Sequence, residues 1–196
     1  MTMRLLGNLE KGLVFILSAP AGTGKTTLVQ MLTHEFSCVV ASISYTTRQP
    51  RPGEINGVHY YFIDKSEFED HIAKEEFLEY VQLYGDYYGT SRLWVENEQN
   101  QGKHVILVID TQGAKFLKEK LRATSIFILP PSIEELERRL IHRQTDSPEV
   151  ITKRVQWAKE ELFSQNLYEY RIVNDNLAIA YQALRSILIA EEHRVR

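Results

Sequence analysis

Five apolar, β-branched runs recur along the chain, at residues 13–17, 38–43, 105–109, 125–129 and 171–173, and each reads as a strand. Amphipathic stretches lie between them and predict helices over 25–36, 112–121, 133–142, 148–164 and 177–193. The alternation is that of a parallel sheet with helices on its faces. Start signals agree with it: Asp64 or Ser66 precedes the spaced apolar set Phe68 and Ile72, Ser132 precedes Ile133, Leu136 and Leu140, and Ser147-Pro148 opens the next helix. The chain has no internal repeat and no low-complexity segment.

The interval 46–94 breaks this rhythm. It carries Pro50, Pro52, Gly53, Gly57, Gly85 and Gly89 with tyrosines at 60, 61, 80, 84, 87 and 88, which predicts short antiparallel strands inserted into the α/β core. A small lobe beside such a core is a natural place for a second substrate.

At 196 residues the chain is long enough for one sizeable core with inserted lobes. Its net charge of −3 gives no electrostatic case for nucleic acid or membrane partners, so an anion must be held by a local cluster of basic residues. Cys38 is the single cysteine, which excludes an internal disulfide and fits a reducing, cytoplasmic setting. Beside Val39 and Val40 it reads as a buried strand residue rather than a reactive thiol. Arg4, an apolar stretch and small residues mimic a secretory leader, but the run 13–17 is short and leads into Gly24-Lys25-Thr26, so it is a core strand. No run is long enough to span a membrane.

That first run passes directly into Ser18-Ala19-Pro20-Ala21-Gly22-Thr23-Gly24-Lys25-Thr26 and then a helix. This is the context of a phosphate-binding loop: glycines let backbone N–H groups turn inward, Lys25 reaches the outer phosphates, and Thr26 can set its hydroxyl on Mg²⁺. The helix start adds its dipole and unpaired amides. Ala19 stands where the consensus has its first glycine, so the loop must turn there with ordinary dihedrals or accept strain.

Asp110 closes the run 105–109 and falls on the carboxyl edge of the sheet, where ligands of parallel sheets bind; it is also placed to cap the helix near Gln112. Arg48 and Arg51 flank Pro50 on a stiffened loop, where two guanidiniums can grip one phosphate. The segment 138–154 carries Arg138, Arg139, Arg143, Lys153 and Arg154, and spacing alone does not separate a phosphate clamp from a solvated face.

Ser44-Tyr45-Thr46-Thr47-Arg48-x-Pro50-Arg51-x-Gly53-Glu54-x-Asn56-Gly57-x-x-Tyr60, then Phe77-Leu78-Glu79-Tyr80 and Tyr87-Tyr88-Gly89-Thr90, resembles the GMP-binding lobe of guanylate kinases. Ile109-Asp110-x-Gln112-Gly113-Ala114, Arg143-x-Thr145-Asp146 and Val173-Asn174-Asp175 follow in the family's order, so the resemblance covers nearly the whole chain. It implies a three-layer α/β parallel sheet of the P-loop NTPase type with an inserted mixed-β nucleotide-monophosphate lobe and a helical lid. As a single domain, the chain divides into core (1–43, 91–132 and 165–196), GMP lobe (44–90) and lid (133–164).

The implied activity is transfer of the γ-phosphate of ATP to GMP, with Mg²⁺. Arg48, Arg51, Tyr60 and Tyr88 would hold the GMP phosphate, and Ser44, Glu79 and Thr90 would read the guanine, with Asp110 nearby. ATP would lie on Ala19, Pro20, Ala21, Gly22, Thr23, Gly24, Lys25, Thr26 and Thr27, with Asn174 near its adenine and Arg139, Arg143 and Arg154 as lid arginines. The chemistry agrees: guanine N1–H and the N2 amine are donors that one carboxylate accepts as a pair, whereas adenine would leave Glu79 facing a bare acceptor. Beyond Ala19, Val108 replaces a usual acidic residue and leaves more work to Asp110, and Gln144 replaces a usual lid glycine. The alternatives are a non-catalytic guanylate-kinase-like binding module, disfavoured by the intact Gly22, Gly24, Lys25 and Thr26, and a phosphate-loop kinase for another acceptor, disfavoured by Glu79 and Thr90.

Overall fold

The computed structural model describes residues 4–83, 85–142 and 147–195. Five strands, β1 (Val14–Ser18), β2 (Val39–Ala41), β7 (His104–Val108), β8 (Thr124–Leu129) and β9 (Tyr170–Val173), form a sheet in the order β2-β7-β1-β8-β9. Every pairing in it is parallel. The connecting helices are α1 (Lys25–Glu35), α3 (Arg92–Asn100), α4 (Thr111–Lys118), α5 (Ile133–His142), α6 (Pro148–Leu162) and α7 (Leu177–Glu192).

The alternation of strand side chains explains the two-faced core. Phe15 and Leu17 of β1 pack with Leu28 and Leu32 of α1 and Leu184 and Leu188 of α7, whereas Val14 and Ile16 pack with Val95 of α3 and Ala114 and Leu117 of α4. Such a strand is apolar at every position, as the run 13–17 is. Truncating any of these large side chains to alanine would cost about 2–5 kcal/mol. A smaller cluster of Leu136, Leu140, Ile151 and Ala158 joins α5 to α6.

A second sheet, in the order β4-β3-β6-β5, is built from β3 (Tyr45–Thr46), β4 (Tyr61–Phe62), β5 (Phe77–Leu83) and β6 (Asp86–Ser91), with α2 (Lys65–Ala73) beside it. The expectation of antiparallel strands holds for β3–β6 and β5–β6, but β3 and β4 pair in parallel because residues 47–60 loop back across the edge. Asp64, not Ser66, is the cap of α2: its carboxylate accepts from Glu67 N at 2.8 Å. The periodicity gave no sign of α3, whose core contact rests on Val95. Cys38 lies in the turn before β2 rather than in a strand, half-buried, and burial pushes its thiol pKa up. The helix expected over 148–164 ends at Leu162 and continues as a 3₁₀ turn, Phe163–Leu167.

A buried contact unread in the sequence ties the ends of the chain together. Leu13 N donates to His104 Nδ1 at 3.0 Å, so the imidazole carries its proton on Nε2 and donates to Glu192 at 2.6 Å. Glu192 also accepts from Gly7 N and Asn8 N. Among the described residues no helix is long and apolar enough to cross a membrane.

Candidate active site

The sheet order puts the loops after β1 and β7 side by side. Leu17 pairs with Val108, so Ala19 and Asp110 emerge together at the carboxyl edge, at the point where the chain crosses from one side of β1 to the other. Gly22 and Gly24 adopt φ of 92° and 91°, left-handed values that favour glycine. Ala19 is not among the positive-φ residues; the loop turns there with ordinary dihedrals. A side chain at Gly24 would meet Asn174 Nδ2 at 2.5 Å.

Lys25 Nζ donates to the carbonyls of Ala19 and Pro20, folding the ammonium back over the loop. Thr23 Oγ1 donates to Pro20 O at 2.9 Å and closes the turn. Thr26 and Thr27 follow, exposed, in the first turn of α1. Asn174 is buried with its amide donating to Thr23 O at 2.7 Å, so its side chain braces the loop. Arg139 Nη1 donates to Asn174 O at 3.0 Å and its Nε to Glu135 at 2.7 Å, which brings α5 onto the same brace. Arg154 is half-buried on α6. Arg143 and Gln144 lie outside the described residues.

Register assembles a second cluster of polar side chains. Glu79 pairs with Thr90 across β5–β6, and Tyr45 pairs with Gly89 across β3–β6, which sets Ser44, just before β3, in line with Thr90 and Glu79. Thr90 Oγ1 donates to Glu79 Oε1 at 2.6 Å. Glu79 is 3% exposed, and burial raises its pKa to about 7, with Asp110 adding to the rise. Asp110 caps α4, accepting from Gly113 N at 2.8 Å; burial raises its pKa too. Both carboxylates converge on Gly113, where an added Cβ would stand 2.7 Å from Glu79 Oε2 and 3.3 Å from Asp110 Oδ1. The glycine of Gln112-Gly113-Ala114 is therefore a matter of space.

Arg48, Tyr60 and Tyr88 meet at the other end of this face. The Arg48 guanidinium lies 5.3 Å from the Tyr60 ring centroid and 5.7 Å from that of Phe62, and Tyr60 packs edge-on against Tyr88 at 6.1 Å. Thr46 and Thr47 staple the Arg48 loop to β6: Thr46 Oγ1 donates to Tyr87 O at 2.9 Å, and Thr47 Oγ1 accepts from Tyr87 N at 2.9 Å. Arg51 is exposed next to Arg48.

Several residues of the site escaped sequence reasoning. Glu161 of α6 borders a cavity of about 310 Å³ with Leu83, Asp110, Gln112, Trp157 and Ser164. Burial raises the Glu161 pKa to about 7, against the pull of Lys25. The spacing 157, 161 and 164, one face of a helix running on into the 3₁₀ turn, was the available signal. Nothing in the sequence indicated which element that face would meet.

Comparison with known proteins follows the same lines. The sequence profile described as Guanylate kinase matches residues 11–191. A guanylate kinase of Protochlamydia amoebophila (strain UWE25) is 62% identical over 193 residues, covering 98% of this chain and 98% of that one. One from Chlamydia muridarum (strain MoPn / Nigg) is 49% identical over 183 residues, covering 93% and 89%. The crystal structure of guanylate kinase from Anaplasma phagocytophilum superposes with a TM-score of 0.78 at 34% identity, covering 94% of this chain and 88% of that one.

Proposed function

The chain belongs to the guanylate kinase family and transfers the γ-phosphate of ATP to GMP, and on that premise we propose how its residues divide the work. The observation that carries the assignment is the buried Glu79 carboxylate, held by Thr90 and set against Gly113 in the same molecule as the Gly22–Gly24 loop. In our reading the core (1–43, 91–132, 165–196) binds ATP, the lobe 44–90 binds GMP, and 133–164 is the lid.

Glu79 accepts from guanine N1–H and N2, Thr90 orients it, and the Ser44 hydroxyl donates to O6. Asp110 stands beside the base and the reacting phosphates. Arg48, Arg51, Tyr60 and Tyr88 hold the GMP phosphate so that its oxygen lies in line with the γ-phosphate of ATP, and positioning of this kind supplies much of the rate. Residues 19–27 cradle the ATP phosphates; Lys25, with Arg139, Arg143 and Arg154, offsets the charge of the moving group. Asn174 acts on the adenine side through the loop it braces.

Magnesium fits this donor set in a limited way. Among the described residues no three His, Cys, Asp or Glu side chains cluster as a metal site, so the ion would be held chiefly by nucleotide phosphates, with the Thr26 hydroxyl partly through water. Bound there, it would supply charge neutralisation. We further infer a cytoplasmic setting, supported by the single cysteine.

A coupled assay of ADP formation with GMP, AMP, CMP and UMP tests the site assignment. GMP is expected to exceed AMP by at least about 10⁴-fold in kcat/KM, the penalty for leaving a buried hydrogen-bonding group unpaired. Comparable rates with AMP would remove Glu79 from the reading of the base.

A further inference from the structure

Glu54 sits where an anion site should least tolerate it. Its carboxylate lies beside the two arginines assigned to the GMP phosphate, and a negative charge there repels an incoming phosphate dianion. The geometry gives it a compensating task. Residues 51–54 form a turn, with Pro52 and Gly53 (φ 84°) at its centre and Glu54 N donating to Arg51 O at 3.0 Å. The turn brings the Glu54 side chain back over the loop: Oε2 accepts from Arg51 N at 2.7 Å and Oε1 from Arg48 Nη2 at 2.9 Å. On its other arm the guanidinium donates to Gln49 O at 2.7 Å, and its face rests on Tyr60 and Phe62.

We propose that Glu54 is a positioning residue of the acceptor site, clamping the Arg48 side chain to the Arg51 backbone so that both arginines face the GMP phosphate in one preset arrangement. The inference rests on the reading that Arg48 and Arg51 hold that phosphate. The Arg48 and Glu54 side chains are 14% and 17% exposed, sheltered enough for the pair to hold against water. Gln49, Glu54 and the Tyr88 hydroxyl each take an N–H of the guanidinium, and the remaining donors of the five it carries can serve a ligand. An arginine restrained before binding loses less freedom when the phosphate arrives. Both carboxylate oxygens are acceptors here, so the task demands a carboxylate: glutamine would turn an amide N–H₂ toward one of the two donors.

Calorimetric GMP binding to the full chain, in a double-mutant cycle of Glu54→Gln and Arg48→Ala, tests this. Glu54→Gln is expected to weaken GMP about tenfold with ATP affinity unchanged, roughly the loss of one charge-assisted contact. Glu54→Asp keeps the repelling charge but falls one methylene short, and should bind GMP no better than Glu54→Gln. In the Arg48→Ala background the glutamine should cost nothing further, or strengthen binding, because the repulsion goes and no guanidinium is left to position. Equal weakening in both backgrounds would mark a loop staple and overturn the proposal, as would wild-type GMP affinity in Glu54→Gln or a matching loss of ATP affinity. Unchanged GMP binding in Arg48→Ala would instead sink the underlying assignment of the phosphate site.

Discussion

Around Lys25 the candidate phosphate ligands come from one contiguous stretch, residues 19–27, shaped by two left-handed glycines and the start of α1. Around Arg48 they come from residues 48, 51, 60 and 88, gathered by strand pairing and two threonine staples. The first site presents mainly backbone N–H groups, whose direction follows from local dihedrals. The second presents long side chains, which need Glu54, Tyr60 and Phe62 to hold them. A kinase of two nucleotides thus pairs one candidate phosphate site that its local sequence nearly suffices to build with one that exists only once a sheet has formed.

The comparison breaks most sharply at Lys25. Lys25→Met should lower kcat by about 10³-fold or more, since it removes the charge that our reading assigns to the transferring group. GMP affinity by calorimetry should stay within about threefold, because the acceptor site is assembled elsewhere. Loss of GMP binding would show that the two sites are not separable.

Gly113→Ala probes the acceptor side through its floor. The added Cβ would press on Glu79 Oε2 at 2.7 Å, and the backbone there is not left-handed, so the change tests space alone. Steady-state kinetics should show the KM for GMP rising by about 10–100-fold with the KM for ATP unchanged, the scale expected when a positioned group shifts by about 1 Å. Wild-type KM values would mean that Glu79 can relocate freely.

The smallest effect is a pH dependence confined to the acceptor side. Guanine donors require Glu79 ionised, and its pKa stands at about 7, raised by burial. GMP affinity should therefore fall by about tenfold per pH unit below that value, and Glu79→Gln should remove the step. Guanosine in place of GMP separates this from titration of the phosphate. For the ligand-free fold the sign is opposite. An unfolded Glu79 releases its proton near 4.5 and the folded one near 7, so its contribution to stability is fully present below about 4.5 and is lost as pH rises to 7. Thermal denaturation should show GMP protecting the fold more at pH 8 than at pH 6.

Legibility in the sequence follows the same division. The five core strands and the loop after β1 were readable because each is a contiguous pattern: an apolar run, a glycine spacing, a helix start. The α3 helix was not, since Val95 is its single buried side chain. The parallel β3–β4 pair was not, because two-residue strands have no period of their own. Asp110 was legible as a strand-end carboxylate and helix cap, and Glu79 and Thr90 were placed by resemblance, whereas Gly113 as the floor beneath them and Glu161 facing Asp110 came only from the packing of α4 and α6.

GMP as the acceptor came from the resemblance of the ordered motifs to those of guanylate kinases; by itself the sequence determined a parallel α/β core and a phosphate loop at the end of its first strand. Those properties depend on local dihedrals, on side-chain period and on residue types a few positions apart. The tertiary structure alone decided that Thr90 donates to Glu79 and that Gly113 leaves room for two buried carboxylates. Each depends on the register between strands or the docking of a helix, distances that close only when burial of the core fixes the elements against one another.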